Sequence, residues 1–128
     1  MTLLLDSHLL IWIGQADERL TDEVVALVQN EANTVLFSAV SLWEITIKAG
    51  LGKAEFRVDP KILRRRLLAN GYAELAFTSE HAVAVQELPA IHSDPFDRAL
   101  VAQALVEGMT LLTADAVVAR YPGLVRKV

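Results

Sequence analysis

The sequence predicts an α/β domain: a parallel sheet of four to five strands with helices on both faces. Three observations carry that prediction. Short apolar runs recur along the chain, a helix-capping residue follows or adjoins each of several runs, and a helical pattern comes next.

Thr2–Leu5 reads as a buried strand, followed by a short helix through Trp12. Thr21 caps a helix over Asp22–Asn30, with acids in the first turn where the helix dipole favours them. Thr34–Phe37 is a second strand. Ser38 or Ser41 then caps a helix running to about Ala49, which Gly50 and Gly52 stop. Asp59-Pro60 is a cap with proline at the first helical position, opening a helix to about Ala69 with Gly71 beyond its end. Glu74–Phe77 is the next strand, and a helix spans about Ser79 to Leu88. Asp94-Pro95 repeats the cap-and-proline signal and starts a helix to Glu107, ended by Gly108. Thr110–Thr113 is a strand, Asp115–Ala119 a short helix, and Leu124–Arg126 a final strand.

Bulk properties narrow the classes. The 128 residues, 53% of them hydrophobic, suffice for one domain with a real core and exclude disorder. No cysteine is present, so disulfides and thiolate metal sites are excluded. The start lacks a basic region and a long apolar core, and no apolar run is long enough to cross a bilayer. The expectation is a soluble, cytoplasmic protein. A formal charge of −4 argues against a polyanion partner, yet Arg57, Lys61, Arg64, Arg65 and Arg66 crowd one stretch. Arg120, Arg126 and Lys127 crowd the end.

The acids carry the chemistry. In open parallel sheets, sites form beyond the carboxyl ends of the strands. Asp6 directly follows the first strand, Asp115 lies shortly after Leu111-Leu112, and Asp94 and Asp97 open a helix. Asp6, Asp94 and Asp115 also stand where helix caps belong, a role worth about 1 kcal/mol with no chemistry attached. Asp97 is harder to assign to capping. The helix behind it, Ala99 to Val106, is apolar nearly all round, and Asp94 shares its mouth. Two neighbouring anions near a core need a cation, which is either Arg98 or a divalent metal. Glu44 sits mid-helix among Leu42, Trp43, Ile45 and Ile47. It forms a capping box with Ser41, pairs with Lys48 four residues on, or binds metal.

An all-oxygen set suits a hard cation such as Mg²⁺. Two such ions about 4 Å apart would support in-line hydrolysis of a phosphodiester. No glycine-rich phosphate loop, nucleophile elbow or zinc spacing offers a rival mechanism. His8, His81 and His92 are too dispersed to form a ligand set by spacing. His8 reads as a packed residue or one behind the ligands, and His92 as a loop residue near the acidic mouth.

The blocks LLLDSHLLIW, SAVSLWEITIKAGLGK and HSDPFDRALVAQALVEGMTLLTAD, with their spacing, resemble PIN-domain proteins, and among them the VapC-like toxins of type II toxin–antitoxin pairs. The resemblance runs from Leu3 to about Tyr121. It implies one PIN-like nuclease domain over 1–128, a three-layer α/β/α fold, and a ribonuclease dependent on Mg²⁺ or Mn²⁺. By motif, Asp6, Glu44, Asp97 and Asp115 are the implied catalytic and metal-binding acids. Asp94 matches a further acid of the DPFDR subgroup and would assist. Ser7 stands where relatives often carry Thr, keeping a hydroxyl to position water or metal. Arg98 matches the subgroup's Arg, its role open between phosphate contact and salt bridge. The family also implies a homodimer and a cognate antitoxin whose C-terminal segment blocks the acidic cleft.

Two other readings stand beside this one: a related nuclease of RNA processing or DNA repair without an antitoxin, and a non-catalytic interaction module whose acids are caps and ion pairs. Arg64, Arg65 and Arg66 are either a solvated helix face or an RNA backbone contact.

Overall fold

The apolar runs form five strands: β1 (Thr2–Leu5), β2 (Thr34–Ser38), β3 (Ala73–Leu75), β4 (Thr110–Thr113) and β5 (Val125–Lys127). In the computed structural model, which describes residues 1–128, they make one sheet in the order β3-β2-β1-β4-β5, every pair parallel. Six helices connect and cover it: α1 (Ser7–Gln15), α2 (Asp22–Gln29), α3 (Ala39–Gly50), α4 (Pro60–Ala69), α5 (Ser79–Ala84) and α6 (Pro95–Glu107). None is long and apolar enough to cross a membrane.

The three layers follow from the two-residue period of a strand. Leu3 and Leu5 of β1, Val35 and Phe37 of β2, and Leu112 of β4 point to one side. They pack there with Leu9, Leu10 and Ile11 of α1, Val24 of α2, and Leu63 and Leu67 of α4. Leu4, Leu36 and Leu111 point to the other side, against Leu100, Val101 and Ala102 of α6 and Tyr121. The register places Leu3 beside Val35, and Leu4 beside both Leu36 and Leu111, so each face is continuous across strands. Burial on both faces explains why these strands read as unbroken apolar runs. α3 gives Ile45 to the first core and Val40 to the second.

The caps are largely those expected. The side chains of Asp6, Thr21, Asp59 and Asp94 each accept a backbone N–H at a helix start. Of the two serines, Ser38 caps α3, its Oγ accepting from Val40 N at 3.0 Å. That hydroxyl also donates to Gln103 Oε1 at 2.6 Å, giving the fully buried amide of α6 a partner.

Several boundaries move for local reasons. α1 continues past Trp12 to Gln15 and stops at Ala16, which adopts a left-handed φ of 50°. β3 is shorter and earlier than Glu74–Phe77, and the last strand lies one residue later than Leu124–Arg126. The helix from Ser79 tightens to a 3₁₀ turn at Val85–Glu87. The short helix expected over Asp115–Ala119 is instead a turn, closed by Val117 N donating to Asp115 Oδ1 at 2.7 Å, and then a 3₁₀ turn at Val118–Arg120.

Two glycines test the packing with opposite signs. A methyl at Gly50 meets nothing within 4 Å, so Gly50→Ala is expected to be neutral or to stabilise by up to about 1 kcal/mol. At Gly123, φ is 97° and an added Cβ would lie 2.4 Å from Leu105 Cδ2, so Gly123→Ala is expected to destabilise by about 1 kcal/mol or more. Urea midpoints at unchanged slope check both, and equal shifts of one sign would contradict the packing.

Candidate functional site

Strand order fixes where a site can form. The chain moves outward from β1 to β2 to β3, then returns to place β4 on the other side of β1. The connections leaving β1 and β4 therefore diverge at their carboxyl ends, opening a crevice. Asp6 is the first residue past β1, and its backbone N–H still bonds Leu112 O at 3.0 Å. Its carboxylate is buried, and both oxygens accept hydrogen bonds. Oδ1 accepts Leu9 N at 2.9 Å, and Oδ2 accepts Thr113 Oγ1 at 2.6 Å and Ala114 N at 3.2 Å. Burial raises its pKa, and these hydrogen bonds, with His8, offset only part of that rise. Capping and site membership are thus compatible, since one oxygen caps α1 and the other faces β4.

Thr113 was not singled out in the sequence. It is fully buried, donates to Asp6 and accepts Asp115 N at 3.0 Å, joining the two strand ends. Only its place, two residues before an acid at a strand end, could have signalled it. Asp115 itself is exposed, with Oδ1 committed to its own turn.

A second group lies on α3 and at the mouth of α6. Glu44 is 2% exposed. Its Oε1 accepts Ser7 Oγ at 2.6 Å and its Oε2 pairs with Lys48 Nζ, so Ser7 ties the residue after Asp6 to α3. The capping-box alternative is absent, as Ser41 Oγ is buried without a partner. Burial opposes charge on Lys48, yet the Glu44 hydrogen bond and the fields of Glu44, Asp94 and Asp97 raise its pKa overall. Its ammonium also lies 4.9 Å from the Phe56 ring centroid and 5.6 Å from that of Phe96.

Asp94 spends Oδ1 on Phe96 N and Asp97 N. Asp97 faces His92, with Nε2 to Oδ2 at 3.1 Å. Burial first, then repulsion from Asp94 and Glu44, lifts the Asp97 pKa to about 6 against the opposing pull of His92. The cation beside these anions is therefore Lys48. Arg98 forms no ion pair with them: its guanidinium donates to Pro89 O at 2.8 Å and Tyr121 Oη at 2.9 Å. The salt-bridge role considered for Arg98 is corrected on that ground, because its donors face the 85–92 loop.

The remaining candidates lie elsewhere. Arg64, Arg65 and Arg66 are exposed on α4, with Arg64 3.4 Å from Glu74 and Arg66 donating to Gly14 O. His8 pairs with Glu55 and packs edge-on to Phe56. His81 is buried between Thr78 N and Glu107. A cleft of about 690 Å³ lies at the amino ends of β2 and β3, between α2 and Tyr72, and Glu31 is its one acid. The candidate acids thus lie away from this cleft.

The donors fit a hard divalent cation by type, since all are oxygens and Asp97 is held against its usual ionisation by burial and by neighbouring anions. As they stand, no three acidic or histidine side chains are arranged to hold one ion. Lys48 already supplies a positive charge to Glu44.

Solved structures share this fold. The structure of VapBC2 from Rickettsia felis bound to a DNA fragment from their promoter aligns with a TM-score of 0.74 and 16% identity, covering 100% of this chain and 99% of that one. DNA-bound VapBC from Salmonella typhimurium gives 0.70 and 15%, covering 99% and 98%. FitAB bound to an IR36 DNA fragment gives 0.60 and 17%, covering 98% and 94%. No curated protein matches. The sequence matches the PIN domain over residues 3–124, and the chain belongs to the PIN domain family.

Proposed function

We propose that this chain is a Mg²⁺- or Mn²⁺-dependent endoribonuclease and the toxin of a type II toxin–antitoxin pair. One observation carries the reading: Glu44, Asp94 and Asp97 are close enough to act on one lysine ammonium at the carboxyl edge of the sheet. Three like charges gathered around one buried member, Glu44, are costly for a purely structural role. Perturbed carboxylates in a crevice are the usual sign of a functional site. Asp6, Glu44, Asp97 and Asp115 would hold the ion, with Asp94 assisting. Bound there, it would supply a water acidic enough to attack a phosphodiester.

The chain's own residues do the rest. The Ser7 hydroxyl fixes one Glu44 oxygen, leaving the other free to exchange Lys48 for the divalent cation. Thr113 holds Asp6 against β4 so that its position does not depend on the ion. Arg65, exposed beside Arg64 and Arg66, would meet RNA phosphates through counterion release. Membership of the PIN family and the fold shared with VapBC2 and FitAB support a cognate antitoxin as partner, and a homodimer is the working form that the family resemblance implies.

Three outcomes are expected. Asp97→Asn should fold, yet cut RNA at least about 10-fold more slowly with Mn²⁺, since losing even a group that only orients a metal ligand typically costs about 10- to 100-fold. Wild-type rates in this variant would remove Asp97 from the chemistry.

Lys48→Met leaves Glu44 buried and unpaired, which should cost about 3–5 kcal/mol without metal. Thermal melts should then show Mn²⁺ stabilising this variant more than the wild type, where Lys48 competes. Equal shifts would mean that Glu44 is not a ligand.

The pKa of Asp97 is raised, so between 3.8 and about 6 the folded state binds more protons than the unfolded chain. Stability must therefore fall as pH rises through that window and level off above it. The difference between wild type and Asp97→Asn in urea isolates this contribution. Mn²⁺ affinity should rise across the same window, because a ligand must be deprotonated.

A further inference from the structure

Four side chains connect the loop after α5 to the mouth of α6. Arg98 Nη1 donates to Tyr121 Oη at 2.9 Å, Tyr121 Oη lies 2.7 Å from His92 Nδ1, and His92 Nε2 lies 3.1 Å from Asp97 Oδ2. The direction of the protons is fixed by counting donors. Tyr121 Oη has one proton and two lone pairs. It already accepts Arg98 Nη1 and lies 3.4 Å from His92 N–H, and its own proton has two acceptors in reach, His92 O at 3.3 Å and, closer, His92 Nδ1 at 2.7 Å. Were Nδ1 also a donor, three hydrogens would compete for two lone pairs. In the neutral ring that tautomer would also set the bare Nε2 against an oxygen of Asp97. The arrangement that satisfies every group has Tyr121 donating to Nδ1 and Nε2–H donating to Asp97.

We propose that Arg98, Tyr121 and His92 form a directed hydrogen-bond relay that sets the His92 tautomer and holds one Asp97 oxygen in place as a ligand. The proposal rests on the metal-site reading of Asp97. It makes His92 and Tyr121 positioning residues and gives Arg98 a role as the head of the relay. Several features suit the three for that task. Tyr121 is 4% exposed, packed in the core against α6. Arg98 is pinned by Pro89 O as well as by Tyr121, and its guanidinium carbon lies 5.8 Å from the Tyr121 ring centroid. The His92 ring is tilted against that same ring at 5.3 Å. Each member is thus held by contacts other than the relay bonds themselves. Metal-binding groups commonly depend on such partners for orientation, and losing one typically weakens affinity 10- to 100-fold.

The test uses the full chain and two variants. Long-range ¹H–¹⁵N correlations of the His92 ring, recorded without metal, report which nitrogen carries the proton. The relay requires the Nε2–H form in the wild type and in Asp97→Ala, where only Tyr121 is left to impose it. The Nδ1–H form in Asp97→Ala would overturn the relay. Calorimetry with Mn²⁺ alone should show Tyr121→Phe binding about 10- to 100-fold more weakly than wild type at an intact fold, checked by its melting curve. Unchanged affinity would overturn the positioning role. A wild type that binds no Mn²⁺ would overturn the metal-site reading instead, and the tautomer would still decide whether the relay exists.

Discussion

Glu44 is a carboxylate with 2% of its surface exposed, and Lys48 is the side chain that makes it tolerable. Four residues apart on α3, the two meet through the helical repeat alone. The pair has a wider reach than one turn of helix. Lys48 also feels Asp94 and Asp97, so its ammonium balances acids from two helices distant in sequence. Removing one member of a buried pair is far more damaging than the pair's net worth, because a lone buried charge remains. The acidic edge of the sheet is therefore held together by a cation, and the identity of that cation is what function can change.

The sheet links the ends of strands that are distant in sequence. β1 and β4 are neighbours in space though they are more than a hundred residues apart, and the connections leaving them part at the crevice. Asp6 sits at this divergence, and the Thr113 hydroxyl bonds it across a sequence separation of 107. Ser7, the next residue, turns to α3 and bonds Glu44. Two adjacent residues on β1's end thus tie together β4 and α3. Hydrophobic alternation in the strands sets the layers, and the layers set this geometry.

Local signals were legible and long-range ones were not. Asp59-Pro60 and Asp94-Pro95 marked two helix starts because capping is a matter of three adjacent residues. Apolar runs marked the strands because parallel sheets bury both faces. Glu44 stood out because a charge among apolar neighbours is visible in sequence, and the Lys48 partner was one of the alternatives weighed. Arg98 could not be assigned from sequence, since its partners are carbonyls and a tyrosine hydroxyl. Thr113 and Tyr121 were invisible as site residues for the same reason: a threonine at a strand end and a buried tyrosine are ordinary until their partners are known. Asp115 read as the start of a helix, but its side chain closes a turn of only three residues.

The most direct test of the account is a crystal of the chain soaked in Mn²⁺, with anomalous scattering used to locate the ion. A Mn²⁺ peak bound by oxygens of Asp6, Glu44, Asp97 and Asp115, with Lys48 withdrawn from Glu44, is the expected result. An empty acidic edge with the Glu44–Lys48 pair intact, at Mn²⁺ concentrations that saturate such sites, would contradict it.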